Sequence, residues 1–280
     1  MAFYTGTHND QISKMHAMNP ISPVFFRLWQ CLLLALAGGS SLLTTQLVHA
    51  QADPLADKLV GDVGGAVYGT QSIIRSKNKD TSVLPYGFVD YGRFFARVDT
   101  LGVKTLPVGA GYLELVARVS QDGWRANTPA LAGLTDRKMP IPLGIGTFQK
   151  TPYGAFIVNA FVDVNKSRGS LLEATYAAEL KLGPVSFYPQ AGVEYRSAKY
   201  ANYLYSVSAA ESMASGYAAY SAGASTSPVL GLAADIPVSG PWLVTLQFRR
   251  KWLDSAVANS PLVGRKTQDM AFAALSYRFK

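Results

Sequence analysis

Apolar and polar residues alternate at a period of two over much of this chain. The stretch SLLEATYAAELKL (Ser170–Leu182) puts Leu172, Ala174, Tyr176, Ala178, Leu180 and Leu182 on one side. Glu173, Thr175, Glu179 and Lys181 fall on the other, with Leu171 and Ala177 among them. Its composition favours a helix. Gly183-Pro184 ends it, however, and a second alternating stretch starts at once. Two alternating segments about a tight turn predict a β-hairpin, so the neighbours override propensity. In PVSFYPQAGVEYR (Pro184–Arg196), Val185, Phe187, Ala191, Val193 and Tyr195 oppose Ser186, Tyr188, Gln190, Glu194 and Arg196. PWLVTLQFRRKWL (Pro241–Leu253) sets Trp242, Val244, Leu246, Phe248 and Trp252 against Thr245, Gln247, Arg249 and Lys251. Arg250 interrupts the oily face near its end, where a long side chain can snorkel. GYLELVARVS (Gly111–Ser120) separates Leu113, Leu115, Ala117 and Val119 from Glu114, Arg118 and Ser120, and SPVLGLAADIPV (Ser227–Val238) repeats the split.

Alternating segments of about ten to thirteen residues are the mark of a transmembrane β-barrel. A soluble barrel would turn the apolar face inward. Two features favour lipid on the outside. Charge is nearly absent along the middle of the apolar faces, and Trp242 and Trp252 stand at the two ends of one such face. Ten residues of strand span about 33 Å, or roughly 23 Å of height at a tilt of about 45°, close to the apolar band of such barrels. Trp242, Trp252, Tyr195, Tyr277 and Phe279 are then the expected interfacial aromatic belt. Glu114, Arg118, Glu173, Glu179, Lys181, Glu194, Arg196, Arg249 and Lys251 are expected to face the lumen. There both signs can pair across a narrow interior and close it.

Connections alternate between short (Pro237–Pro241, Leu182–Pro184, Lys150–Pro152) and long (Asp254–Lys266, Ala198–Thr226, Gln121–Met139), with Asn165–Gly169 a brief exception. Short turns belong to the periplasmic side and long loops to the outside. The expected fold is an all-β, antiparallel, up-and-down transmembrane β-barrel of ten strands, with Leu84–Thr100 as one long strand that is irregular near Tyr91-Gly92. A hairpin at that Tyr-Gly, or an added pair within Ala198–Thr226, gives the alternative of twelve. Within that long loop, Ser208–Gly216 reads as a short helix capped by Ser208 and ended by Gly216. The loop itself is expected to fold over the barrel mouth as a lid.

The first fifty residues differ. Arg27 precedes an apolar run (Cys31–Gly39), and Val48-His49-Ala50 fits small-residue cleavage before Gln51. The run is shorter than the ~20 residues a spanning helix needs. The segment is long for a leader, and a start at Met15 or Met18 gives an ordinary length. The expected organisation is a signal peptide over 1–50, a periplasmic segment over 51–59 and a barrel over 60–280. Cleavage removes the single Cys and all three His, and the net charge falls from +8 to about +7. The mature chain then lacks a thiolate nucleophile, a His general base and an imidazole metal ligand. That excludes Ser–His–acid hydrolases. No paired acidic motif stands out, and neither an enzyme nor a cofactor is expected. The basic runs Arg75–Asp80 and Phe248–Trp252 read as solvated loop charge facing lipopolysaccharide phosphate and as strand, not as a nucleic-acid site.

LPYGFVDYGRFFARVDTLGVK (Leu84–Lys104), LAGLTD (Leu131–Asp136), YSVSAAESMASGYAAYSAGAS (Tyr205–Ser225) and SPLV (Ser260–Val263) stand in an order and spacing that resembles the MltA-interacting protein (MipA/OmpV) family of outer-membrane proteins. Ser206 stands where that family usually has Gly. The closing FAALSYRFK, with Ala273, Leu275, Tyr277 and Phe279 on one face, is similar to the signal read by the barrel assembly machinery, though Lys280 follows the Phe. The resemblance implies an outer-membrane barrel in lipid and lipopolysaccharide. For the member that named the family, it implies a scaffold linking a murein transglycosylase to a murein synthase. It brings no catalytic or binding residue. A narrow channel, or adhesion through the external loops, is the alternative.

Overall fold

The computed structural model describes residues 52–77 and 79–280. The expected leader lies outside them. Thirteen strand segments form one antiparallel sheet: β1 (Ala56–Gln71), β2 (Lys79–Gly92), β3 (Phe94–Arg97), β4 (Thr100–Val108), β5 (Gly111–Arg118), β6 (Pro142–Thr151), β7 (Gly154–Asp163), β8 (Ser170–Ala178), β9 (Leu180–Leu182), β10 (Val185–Arg196), β11 (Ser225–Ser239), β12 (Trp242–Trp252) and β13 (Thr267–Phe279). Each pairs with its neighbours in sequence, except that β8 and β9 both pair with β10 and not with each other, and β13 pairs with β1, which closes the cylinder. β8 and β9 are halves of one strand. Both keep a single register along β10, from Leu171↔Arg196 to Leu182↔Val185, broken at Glu179, whose N–H turns to the Tyr153 carbonyl at 2.9 Å. The wall therefore has twelve strands.

The expectation of ten fails at Leu84–Thr100, which is two hairpins and not one strand. Gly92 takes a left-handed φ of +56° and turns β2 into β3, where Tyr91 faces Phe94. Four residues later Val98-Asp99 turns the chain again, with Arg97 facing Thr100. So short a strand has too few positions to display a period. β1 also begins at Ala56, inside the segment expected to precede the barrel.

Following the ladders around the wall returns to β1 about 16 residues further along it. With twelve strands this shear gives a tilt of about 45°. One feature interrupts the wall. Because β3 is four residues long, β2 has a partner on its β3 side over Phe88–Tyr91 alone. Its segment from Lys79 to Tyr86 is paired with β1 only.

The two faces invert the order of a water-soluble protein. Outward, large apolar side chains such as Leu230, Leu246, Phe248 and Leu275 lie exposed; inward, Glu114, Asn159, Thr245 and Ser276 are buried. A continuous exposed apolar surface on this scale is stable in lipid. Along the outer face Arg250 does not stand alone. Its guanidinium bonds the neighbouring Asp269 carboxylate at 2.7 and 2.8 Å, a pairing that sequence parity on one strand does not reveal.

The long connections cover one end. They carry α1 (Ala198–Tyr205), α2 (Ala209–Ser215) and α3 (Ser255–Ala258). α2 has the expected limits. The Ser208 side chain accepts from the Glu211 N–H, Glu211 reaches back to the Ser208 N–H, and Gly216 closes the helix at φ +75°. Tyr200, Leu204, Leu131 and Leu262 are fully buried in one apolar cluster with Trp124, Val207 and Val257. That cluster is the lid.

Candidate functional site: the lumen and its lid

Side chains at alternate positions of every strand meet inside the barrel, and their charges sort into four groups. Under the lid, Arg196 on β10 donates to Glu194 at 2.8 Å, to Asp122 at 3.0 Å and to the Tyr205 hydroxyl at 2.7 Å. Lys251 on β12 reaches the same Glu194 at 3.0 Å. The Tyr200 hydroxyl donates to the other Asp122 oxygen at 3.0 Å. Burial pushes the Tyr200 and Tyr205 hydroxyls well above the usual tyrosine value, so both stay protonated. Beside this group, Arg118 on β5 bridges Glu173 on β8 at 2.5 Å and Asp99 at 3.5 Å.

Lower in the barrel, Arg97 grips Glu114 through two bonds of 2.9 Å, with its guanidinium over the rings of Phe95 and Phe148. Lys104 pairs with Asp90 at 2.9 Å. Across the adjoining strands β11, β12, β13 and β1, Arg278 takes Asp62 at 2.7 Å through two bonds and Asp235 at 3.3 Å, while Thr245 donates to Asp235 at 2.8 Å. Bidentate and shared geometries of this kind offset much of the cost of placing charge away from water.

Of the nine residues expected inside, Glu114, Arg118, Glu173, Glu194, Arg196 and Lys251 meet partners in these groups. Glu179 and Lys181 pair with each other at 3.2 Å at the rim of short turns, with Lys181 71% exposed, and join no inner group. Arg249 faces a cavity of about 310 Å³, and among the described residues no carboxylate lies within ion-pair distance of it. On the outer face, Trp242, Tyr277 and Phe279 pack in series at the short-turn rim, with centroids 5.7 and 4.9 Å apart. Trp252 and Tyr195 lie at the opposite strand ends. Asp62, Asp90, Arg97, Lys104, Asp235 and Arg278 also belong to the interior and are absent from the sequence reading. Parity carried through β4 and β13 would have found Lys104 and Arg278. Asp99 and Asp122 sit in connections, where no period points to them.

The lid has its own ion pair. Arg137, from the β5–β6 connection, meets Glu211 of α2 at 2.9 Å and donates to the Ser206 carbonyl at 3.0 Å. Trp124 donates its indole N–H to the Leu204 carbonyl at 3.0 Å. Ser206 is extended (φ −84°, ψ 154°), a conformation that needs no glycine, and its hydroxyl accepts the Ala222 N–H and donates to Asn202.

A closed antiparallel cylinder with an oily outside, a charged inside and one capped end defines an outer-membrane β-barrel protein. The family model described as MltA-interacting protein MipA matches residues 63–279, and the chain belongs to that family. It is 28% identical to the outer membrane protein Omp26La of Vibrio anguillarum, over 79% of this chain and 86% of that one. It is 29% identical to the outer membrane protein OmpV of Vibrio cholerae, over 72% and 73%. It is 29% identical to the MltA-interacting protein of Escherichia coli K12, over 52% and 59%. Its place is the outer membrane.

Proposed function

We propose that the protein is a non-enzymatic outer-membrane scaffold, exported with a leader cleaved before Gln51, whose periplasmic rim docks murein-cleaving and murein-building enzymes. The observation that carries a scaffold over a porin is the lid. Tyr200, Leu204, Leu131 and Leu262 are fully buried across the outer mouth, and ion pairs of both signs cross the lumen beneath them. A general aqueous pore needs a wider barrel and an open mouth. The murein partners follow from the relationship to the MltA-interacting protein. Outer-membrane lipid, lipopolysaccharide and the barrel assembly machinery are the further partners of this reading, with Trp242, Trp252, Tyr195, Tyr277 and Phe279 as its interfacial belt.

Proximity crosslinking in intact cells, read by mass spectrometry, tests the scaffold. Murein transglycosylase and synthase among the adducts support it, and their consistent absence refutes it. Planar-bilayer recording tests the closed lumen, where steady conductance in the range of a general porin contradicts it.

A further inference from the structure

The interrupted wall between β2 and β5 has the features of a lateral entry. With each residue rising about 2.3 Å along strands tilted near 45°, the Val98-Asp99 turn lies roughly 12 Å below the level of Trp252. The β3–β4 hairpin thus stops about halfway up the apolar band. Above it, β2 is left with a free edge. Gly87 gives its carbonyl to the Val98 N–H at 2.7 Å, so Gly87 and every second residue above it direct their backbone groups to the β3 side. Pro85 falls on that set. It has no N–H to leave unpaired, which is how exposed sheet edges are commonly blunted. Val83, two residues on, is 77% exposed, against 50% for its ladder partner Val67, which has strands on both sides. The inward-facing Ser82 and Leu84 are exposed as well.

The lower lip is strained. Val98 holds φ +56°, a left-handed conformation that β-branched residues rarely adopt. Such strain clusters where a shape has a use. The cavity reaches this lip. Val98, Asp99 and Val119 line it on one side, Gln247 and Arg249 on the other. Most of its charges are matched, Arg118 by Glu173 and Asp99, Arg196 by Glu194 and Asp122, and Lys251 by Glu194. Arg249 is left over.

We propose that the gap between β2 and β5 is a portal through which an amphiphile with one anionic head group, a fatty carboxylate, passes from the outer leaflet into the lumen, its head on Arg249 and its tail across Val98, Val119 and Leu84. The charge sets the head group, because one unmatched guanidinium in a small cavity selects a single carboxylate. The setting sets the source. A breach in the lipid-facing half of the wall, with the outer mouth capped, admits molecules dissolved in the membrane.

The test uses the full protein reconstituted in phosphatidylethanolamine vesicles and a twelve-carbon carboxylate carrying a diazirine near its tail. Light should place adducts on Val83, Leu84, Val98 or Val119, competed by unlabelled dodecanoate and not by dodecylamine. Arg249→Gln, which breaks no ion pair, should weaken competition about tenfold or more. Val83→Trp should reduce labelling of Val98 and Val119 by narrowing the gap. Heat-modified gel mobility verifies that each variant is folded. Adducts confined to the rims, equal competition by the amine, or an unaffected Arg249→Gln would each overturn the portal. These outcomes are separate from conductance and enzyme crosslinking, so the scaffold reading stands or falls apart from this one.

Discussion

Replacing Glu211 by Gln asks how much of the lid is held by charge. Glu211 is 8% exposed. Its carboxylate receives Arg137 on one side and the N–H groups of Thr135 and Ser208 on the other. Burial alone would raise its pKa. The bonds from Arg137, Ser208 and Thr135 outweigh burial and hold it at about 2, against 4.5 for the free side chain. At 1.36 kcal/mol per unit, ionisation of this group stabilises the closed lid by roughly 3 kcal/mol. Gln keeps an acceptor for the backbone but loses the charge that meets Arg137. Local opening of residues 198–226 should then become easier by about 2–3 kcal/mol, seen as roughly 30- to 150-fold faster amide exchange. Hydrogen exchange by mass spectrometry in detergent micelles, corrected for intrinsic rates, measures this directly. The sign with pH is fixed. A carboxyl whose pKa is lowered on folding contributes fully above 4.5 and is lost as the pH falls through about 2. Protection of the lid should be flat in the neutral range and decline in that acid window. Unchanged exchange in Glu211→Gln at neutral pH, or protection lost as the pH rises, would refute the argument.

Leu262→Ala removes a fully buried side chain from the same cluster and should ease lid opening by about 2–5 kcal/mol in the same exchange assay. Gly92→Val forces a β-branched residue into φ +56° and should cost about 1–2 kcal/mol in urea unfolding from vesicles. Arg250→Leu strands Asp269 on the oily face and should lower the temperature at which heat-modified gel mobility changes. Arg250→Leu with Asp269→Leu should restore it, since a matched apolar pair suits lipid.

The lumen was legible where strands are long. Glu114, Arg118, Glu173, Glu194, Arg196, Arg249 and Lys251 follow from parity within runs of eight or more residues, because a strand must send alternate side chains to opposite faces. Parity also carries Glu179 and Lys181 inward, yet they end at the rim. Height along the strand decides whether an inward residue meets the interior or water, and height depends on tilt and shear. Twelve strands in place of ten turned on Phe94–Arg97, too short to show a period, and on a valine in a conformation its side chain disfavours.

The sequence by itself determined the class of the molecule: period-two segments, an oily face almost free of charge, tryptophans a membrane apart, and a capped helix at Ser208–Gly216. These are local facts, set by backbone geometry and nearest neighbours. Only the tertiary structure decided which charges meet. Arg196 with Asp122, Arg278 with Asp62 and Arg137 with Glu211 are separated by 74, 216 and 74 residues. Their meeting depends on how the cylinder closes and where the loops fall across it. The same closure left the Lys79–Tyr86 part of one β2 edge without a neighbour, because a ladder is a property of two strands and no single strand records the partner it lacks.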